Sequence, residues 1–172
     1  MCRAKSKEDA ESGTACYELH GKIYPINDEA DPHPPLHPHC RCGIETMDAM
    51  EAGQATALGI NGADYYLAKT GNLPDYYITK SEAEDNYGWN PGRDAIGGET
   101  GKMLGGDIYN NENGHLPDVS GRIWYEADIN YVGGSRGGER IVYSSDGLIF
   151  VTYDDYRTFV EINVFKNYNG KP

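Results

Sequence analysis

Four runs of β-forming residues follow one another in the last third of the chain. They read RIWYEADI, ERIVYSS, LIFVTY and RTFVEINV, and short turn-forming segments (VGGSRGG, SDG and DD) separate them. Strands that are joined by such short turns favour antiparallel hairpins. The fold is therefore expected to contain an antiparallel sheet built largely from residues 122–164.

Two helices are predicted ahead of these strands. The segment GADYYLAKTG predicts a helix that is closed by Gly71. Thr79 and Glu82 have the spacing of a capping box, which starts a second helix that Gly88 should end. Helices followed by antiparallel strands are typical of the α+β class, here with N-terminal helices packed on a four- or five-stranded antiparallel sheet.

Composition divides the chain into three parts. Residues 1–44 form a small appendage that holds all four cysteines and four of the five histidines. Residues 45–60 are interpreted as a linker or a short helix, and residues 61–172 as one folded domain. Because no cysteine follows Cys42, disulfides and thiol chemistry are excluded from that domain. No apolar run approaches the length of a membrane span, and the N-terminus shows no signal peptide.

The chain is strongly acidic, with a formal net charge of −12. Residues 71–172 alone hold nine Lys or Arg against sixteen Asp or Glu. An acidic surface repels phosphates, so composition argues against non-specific nucleic-acid binding. Any nucleic-acid function would depend on a few cations that are focused in a cleft.

The run RIWYEADI is the most informative of the four strands. Alternation puts Trp124, Glu126 and Asp128 on one face, and Tyr125 and Ala127 on the other. A glutamate beside a tryptophan on a sheet face is a candidate for a functional carboxyl group. A solvated strand face is the ordinary alternative for such a pattern.

Several segments resemble the barnase family of secreted bacterial endoribonucleases. They are ADYYLAKTGNLPD, LPDYYITKSEA, GGDIYNNENGHLPDVSGRIWYEADINY, GGSRGGERIVYSSDGLIF and DDYRTFVEI, which together cover about residues 60–163. The resemblance implies cleavage of single-stranded RNA, in which the ribose 2′-hydroxyl attacks the adjacent phosphorus and leaves a 2′,3′-cyclic phosphate. DNA lacks that hydroxyl and is excluded as a substrate. Such chemistry needs a base, an acid and phosphate-binding cations, and no cofactor.

The resemblance implies roles for four residues. Glu126 in WYEADIN matches the general base, with a plain surface carboxylate as the alternative. Arg136 and Arg140 in SRGGER match the two arginines that hold the scissile phosphate. Lys80 in ITKSEA matches the active-site lysine of the family. A lysine is unfavourable at a helix start, which is easier to understand if it faces a phosphate.

Asp155 marks the main departure from the family pattern. The family has a histidine immediately before the tyrosine of DYRTF, and this chain has Asp155 there. An ordinary aspartate, with a pKa of about 3.9, is ionised near neutral pH and has no proton to donate. Loss of a general acid typically costs on the order of 10²–10⁴ in rate, so the resemblance predicts an impaired ribonuclease.

Base recognition is predicted in the loop IYNNENGH. Asn111 and Glu112 are its candidate substrate-binding residues. The family reads guanine through backbone amides and a carboxylate of this loop. That carboxylate aligns with Asn113, one residue after Glu112, so a preference for guanine stays open. Tyr156 matches a tyrosine that lines the base pocket, and buried packing is the alternative for it.

The N-terminal appendage carries a second resemblance. TACYELHGKIYP and HPHCRC resemble the C-terminal end of phage minor head morphogenesis proteins. A structural tetrahedral Zn²⁺ is predicted here, with candidate ligands Cys2, Cys16, His39, Cys40 and Cys42. A disulfide between two of the cysteines is the alternative.

Together the two resemblances suggest a toxin domain of a phage-derived modular protein, secreted or delivered to a target cell. They imply RNA and a barstar-like inhibitor protein as partners, and neither DNA nor a membrane. Two alternatives stay open: an inactive module that still binds RNA or the inhibitor, and a phage structural component with a vestigial nuclease part. Joint retention of Lys80, Glu126, Arg136 and Arg140 argues against the vestigial part.

Overall fold

The computed structural model describes residues 2–3, 43–44, 48–91, 96, 100–131, 134 and 136–164. They belong to two compact units. One unit combines the N-terminal residues with residues 113–121, and in it Cys2–Arg3 (β1) pairs antiparallel with Gly43–Ile44 (β2). The larger unit contains residues 48–112 and the chain from residue 122 onward.

The larger unit contains a seven-stranded mixed sheet. Its strands are Ala49–Glu51 (β3), Tyr77–Ile78 (β4), Met103–Tyr109 (β5), Trp124–Asp128 (β6), Arg140–Ser144 (β7), Ile149–Thr152 (β8) and Val160–Asn163 (β9). Their order across the sheet is β3-β9-β8-β7-β6-β5-β4. The pairings from β5 to β9 are antiparallel, whereas β3 runs parallel to β9 and β4 runs parallel to β5.

The α+β class is confirmed, but the predicted four- or five-stranded antiparallel sheet is wrong. Two short parallel strands, β3 and β4, extend it at both edges. Where the sequence suggests a linker or a helix over residues 45–60, the described residues 48–60 contain β3, turns and the start of the 3-10 helix Gly59–Asn61. Strands of two or three residues are too short to show an alternating pattern, so their backbone pairing defines them.

Two helices, Ala63–Thr70 (α1) and Lys80–Tyr87 (α2), form where the sequence predicts them. The capping box between Thr79 and Glu82 is present at the start of α2. Each helix ends at a glycine in the left-handed region, Gly71 with φ 75° and Gly88 with φ 64°. Neither described helix is long and apolar enough to cross a membrane.

The main hydrophobic core lies between α1 and one face of the sheet. Its buried members are Ala55, Ala63, Leu67, Ile129, Ile141, Ile149, Val151 and Ile162. The register pairs Ile141 with Val151, which places both on this face. Val142 pairs with Glu126 and with Phe150 and lies on the opposite face. Because strand side chains alternate, the face opposite α1 is the one that carries Glu126.

A buried carboxylate ties residues 53–56 to this core. Asp64, in the first turn of α1, is 0 % exposed. It accepts hydrogen bonds from Gly53 N at 2.6 Å, Ala55 N at 2.9 Å and Thr56 Oγ1 at 3.0 Å. A buried carboxylate needs such partners. The segment ahead of α1 is therefore bound into the fold through Asp64.

Candidate active site

Glu126 lies in the middle of β6, and both of its carboxylate oxygens are engaged. Lys80 Nζ lies 2.6 Å from Oε1. The hydroxyl of Tyr156 donates to Oε2. The side chain of Glu126 is 12 % exposed and that of Lys80 is 35 % exposed. This partial burial makes the ion pair stronger than one that is fully in water.

The start of α2 directs Lys80 toward β6. The backbone N–H of Lys80 donates to the carboxylate of Asp107, 3.0 Å from Oδ2. This acceptor satisfies one of the N–H groups that a helix leaves open at its N-terminus, where a negative charge is favourable. Asp107 lies opposite Glu126 in the pairing of β5 with β6, so both contacts of Lys80 come from neighbouring strands.

A β-bulge at Gly106 sets this register. Gly105 pairs with Ala127, yet Asp107 pairs with Glu126, so β5 contains one extra residue. Gly106 has a φ of 94°, which residues with a Cβ rarely adopt. The bulge places the side chain of Asp107 at the start of α2.

Asp128 binds both arginines of the site. Arg136 donates to it twice, from Nε at 2.6 Å and from Nη2 at 2.7 Å. Arg140 Nε lies 2.9 Å from the same carboxylate. Arg140 Nη1 also donates to the backbone carbonyls of Gly137 and Glu139, at 2.6 and 2.7 Å. The Asp128 side chain is 3 % exposed, so two guanidinium groups balance a buried negative charge.

Arg136 is a strongly fixed cation. Its hydrogen bonds to Asp128 raise the pKa of the guanidinium above its ordinary value, although burial acts in the opposite direction. The negative charge of Glu126 adds a smaller increase to the pKa of Arg136. The guanidinium also lies over the ring of Trp89, 5.9 Å from its centroid.

Tyr156 lies between Glu126 and a second aromatic ring. Its ring stacks on that of Tyr109, with centroids 5.1 Å apart and an interplanar angle of 12°. Burial, followed by the hydrogen bond to Glu126, raises the pKa of Tyr156 above its usual range, against the charge of Arg140. The phenol therefore stays protonated near neutral pH and acts as a donor.

Asp155 lies in the turn after β8, and this turn has a left-handed backbone. Asp155 has a φ of 60° and Tyr156 a φ of 64°. Asp154 closes the turn, since its carboxylate accepts from Thr158 N at 2.9 Å and from Thr158 Oγ1 at 2.7 Å. The unusual backbone of the two residues is thus held by an acidic side chain that precedes them.

A close backbone approach brings Asp155 to the loop of the arginines. The N–H of Asp155 donates to the carbonyl of Gly138 at 3.3 Å. A Cβ on Gly138 would lie 3.2 Å from the Cβ of Asp155, so a larger residue would crowd this contact. The side chain of Asp155 is exposed. Asp155 therefore lies beside the segment that carries Arg136 and Arg140.

The structure brings Lys80, Glu126 and Tyr156 into direct contact and joins the two arginines through Asp128. The candidate base-reading residues follow β5: Asn111 is buried with a φ of 48°, and Glu112 is exposed. Asn113 belongs to the smaller compact unit.

The candidate zinc ligands remain a prediction. Cys16, His39, Cys40 and Cys42 lie outside the described residues, and Cys2 is described only as part of β1. Among the side chains that the structure describes, no group of three His, Cys, Asp or Glu is placed to hold a metal ion.

Three residues of the site are not predicted from the sequence: Asp107, Tyr109 and Asp128. A signal exists for Asp128, because alternation already puts it on the same face as Glu126. No comparable signal identifies Asp107, since its position depends on the bulge at Gly106. Tyr109 is recognised only through its stacking on Tyr156.

Comparison with known proteins agrees with this arrangement. Residues 61–163 match the protein family described as ribonuclease. The ribonuclease of Heyndrickxia coagulans is 48% identical over 103 residues, which are 59% of this chain and 94% of that protein. The ribonucleases of Bacillus intermedius and Bacillus pumilus are 48% identical over 103 residues, 59% of this chain and 63% of their own length. The match runs from α1 to β9 and contains every residue of the described site, and the chain belongs to the ribonuclease family.

Proposed function

We propose that residues 61–163 form an endoribonuclease domain that cleaves single-stranded RNA through its 2′-hydroxyl and releases a 2′,3′-cyclic phosphate. The observation that carries this proposal is the Glu126 carboxylate, held between Lys80 and Tyr156 on the strand face that also bears Asp128. A carboxylate in this position can accept the proton of the 2′-hydroxyl. Without that hydroxyl there is no nucleophile, so DNA is not cleaved.

Arg136 and Arg140 supply the positive charge in this mechanism. Attack on phosphorus adds negative charge to the phosphate oxygens, and fixed cations stabilise that charge without reorganising. Arg136 is held by two hydrogen bonds to Asp128, and Arg140 by carbonyls of its own loop. Both guanidinium groups are thus oriented before the substrate arrives.

Cleavage by this chain is proposed to be slow, because Asp155 stands where the resembled family has its histidine. A carboxylate has no proton to donate near neutral pH, and its negative charge opposes the substrate phosphate. A histidine, with a pKa near 6.5, would supply a proton in that range.

The test uses a single-stranded RNA and a DNA of the same sequence. We expect Asp155→His to cleave the RNA on the order of 10²-fold faster than the present chain. Mass spectrometry should show 2′,3′-cyclic phosphate ends, and the DNA should stay intact. Glu126→Gln, placed in the Asp155→His background, should remove this activity. Absence of cyclic phosphate ends from the Asp155→His reaction, with the protein folded, would contradict the proposal.

Asp155 also favours a second candidate function, a catalytically inactive module that binds RNA or an inhibitor. The effect of Glu126→Gln on RNA cleavage distinguishes a slow enzyme from an inactive binding module. An enzyme, even a slow one, loses its remaining cleavage when Glu126 becomes Gln, whereas an inactive module binds RNA and shows no cleavage that depends on Glu126.

We also propose a toxin role, with secretion or delivery to a target cell, from the resemblance of residues 1–44 to phage head proteins together with the ribonuclease domain. The resemblance to the barnase family supports a barstar-like inhibitor as a partner, and the cysteines and histidine of residues 1–44 support a structural Zn²⁺. Metal analysis of the full chain, purified without added zinc, tests the last point. One equivalent of zinc supports it, whereas a disulfide without metal supports the alternative.

A further inference from the structure

We propose that Tyr156, and not Asp155, donates the proton to the departing 5′-oxygen when this chain cleaves RNA. This inference rests on the proposed endoribonuclease function. It assigns the remaining activity of the chain to a side chain that the resemblance associates only with the base pocket.

Tyr156 is the better placed of the two neighbouring residues. Its hydroxyl donates a hydrogen bond to Glu126, the group that would take the proton of the 2′-hydroxyl. Stacking on Tyr109 fixes the ring, and the backbone N–H of Tyr156 donates to Thr152 Oγ1 at 3.0 Å. The side chain of Asp155 is exposed, whereas that of Tyr156 is half-buried.

Tyr156 and Asp155 also differ in whether they carry a proton at neutral pH. Burial and the bond to Glu126 keep the pKa of Tyr156 above its usual range, so the phenol carries its proton at neutral pH. A carboxylate does not. A phenol that is held at the reacting centre can pass this proton to an alkoxide, which is still the stronger base of the two.

The proton transfers balance around the Tyr156–Glu126 hydrogen bond. The 2′-oxygen forms its bond to phosphorus and gives its proton to Glu126, while the bond from phosphorus to the 5′-oxygen breaks. The 5′-oxygen takes the proton of Tyr156. The phenolate then takes the proton held by Glu126, and both side chains return to their starting states. One proton has moved from the 2′-oxygen to the 5′-oxygen.

Lys80 is the rival donor, because it contacts the other oxygen of Glu126. Its charge can also stabilise the phosphate, and a substitution at Lys80 removes that charge together with the proton. The experiment therefore has to separate loss of a proton donor from loss of a cation or of binding.

The experiment compares RNA with an ordinary 5′-oxygen and RNA in which sulfur replaces the bridging 5′-oxygen at the cleavage site. A thiolate, whose parent thiol has a pKa of about 8.5, leaves without a proton donor. We expect Tyr156→Phe to lower single-turnover cleavage of the oxygen substrate by on the order of 10²-fold. On the sulfur substrate it should cleave within a few-fold of the unchanged chain. Lys80→Met should be slow on both.

An equal loss of cleavage on both substrates for Tyr156→Phe would overturn the inference and reduce Tyr156 to a binding residue. Rescue of Lys80→Met by sulfur, without rescue of Tyr156→Phe, would assign the proton to Lys80. Tyr156→Phe keeps the ring that stacks on Tyr109, and urea unfolding shows whether it folds.

The Asp155→His background provides the second arm. The histidine supplies the proton there, so Tyr156→Phe should lose much less activity than in the present chain. Equal fold losses in the two backgrounds would contradict the inference. If no variant, Asp155→His included, forms a cyclic phosphate, the proposed function itself fails. If Asp155→His forms it and Tyr156→Phe does not respond to the leaving group, only the assignment of Tyr156 fails.

Discussion

Arg136 forms two parallel hydrogen bonds to Asp128, 2.6 and 2.7 Å long, from Nε and Nη2 to the two carboxylate oxygens. A bidentate pair of this kind fixes the plane of the guanidinium as well as its position. The cation that would meet the RNA phosphate is thus oriented by a neighbour that is itself buried. Under the proposed function Asp128 would be a positioning residue, because it would act on the phosphate only through the two arginines.

Asp128→Asn should destabilise the domain strongly. Removing one partner of a buried ion pair costs about 3–5 kcal/mol, because the remaining charges lose their partner. Asp85→Asn is the matched control, since Asp85 is exposed on α2 and the charge change is the same. The control should stay within about 0.5 kcal/mol of the unchanged chain. Urea unfolding measures both, and similar values for the two variants would refute the role of Asp128.

Asp155→Asn should tighten RNA binding while cleavage stays slow. The substitution removes a negative charge beside the arginine loop and supplies no proton. The gain in affinity for a 2′-deoxy analogue should be large at low salt and small at high salt, because salt screens exposed charges. Asp85→Asn again provides the same charge change, and should alter affinity less. A gain in cleavage comparable with that of Asp155→His would show that charge alone limits the reaction.

Asp64→Ala, which removes the acceptor group, should lower the free energy of unfolding by several kcal/mol. Asp64 accepts from three donors in residues 53–56, and each buried donor left without a partner costs about 1–3 kcal/mol. A chain that begins at residue 61, where the family match begins, should also be less stable than one that begins at residue 48. Equal urea midpoints for the two chains would show that residues 48–60 contribute nothing to stability.

The turn that holds Asp155 should weaken in acid. Hydrogen bonds from the backbone N–H and the hydroxyl of Thr158 lower the pKa of Asp154 below its ordinary value. A group with a depressed folded-state pKa contributes stability above its ordinary pKa, about 3.9 for aspartate, and loses it as pH falls through the folded-state value. The unchanged chain should therefore exceed Asp154→Asn in stability near neutral pH, and the difference should shrink below that pKa.

Urea unfolding across the acidic range measures this difference. Thr158→Val removes the hydroxyl donor alone and should reproduce part of the loss. A difference between the chain and Asp154→Asn that grows as pH falls would contradict the assignment.

The sequence predicts the features that depend on local chemistry. Glycine at the end of each helix and the capping box at Thr79 correctly place α1 and α2, because left-handed backbone and orphan N–H groups impose specific residue types. Alternation in β6 correctly separates Glu126 and Asp128 from Tyr125.

The features that depend on long-range backbone pairing cannot be predicted from local sequence. Nothing in Ala49–Glu51 distinguishes an edge strand from a linker, since its pairing is decided by Val160–Asn163. The bulge at Gly106 is equally hidden, because glycine serves many kinds of turn. Asp107 reaches the helix start only as a result of that bulge, and its role is therefore visible only in three dimensions.

The parallel pairing of β3 with β9 also sets the order in which the domain can be completed. Met50 pairs with Ile162, and the side chains of Glu51 and Asn163 bond across 112 positions of sequence. Contacts this distant form late, because the intervening chain must first be ordered. During synthesis the N-terminal residues leave the ribosome first. The residues of β3 therefore have no partner strand until β9, residues 160–163, has emerged. The seven-stranded sheet can therefore be completed only after nearly the whole described chain has been translated.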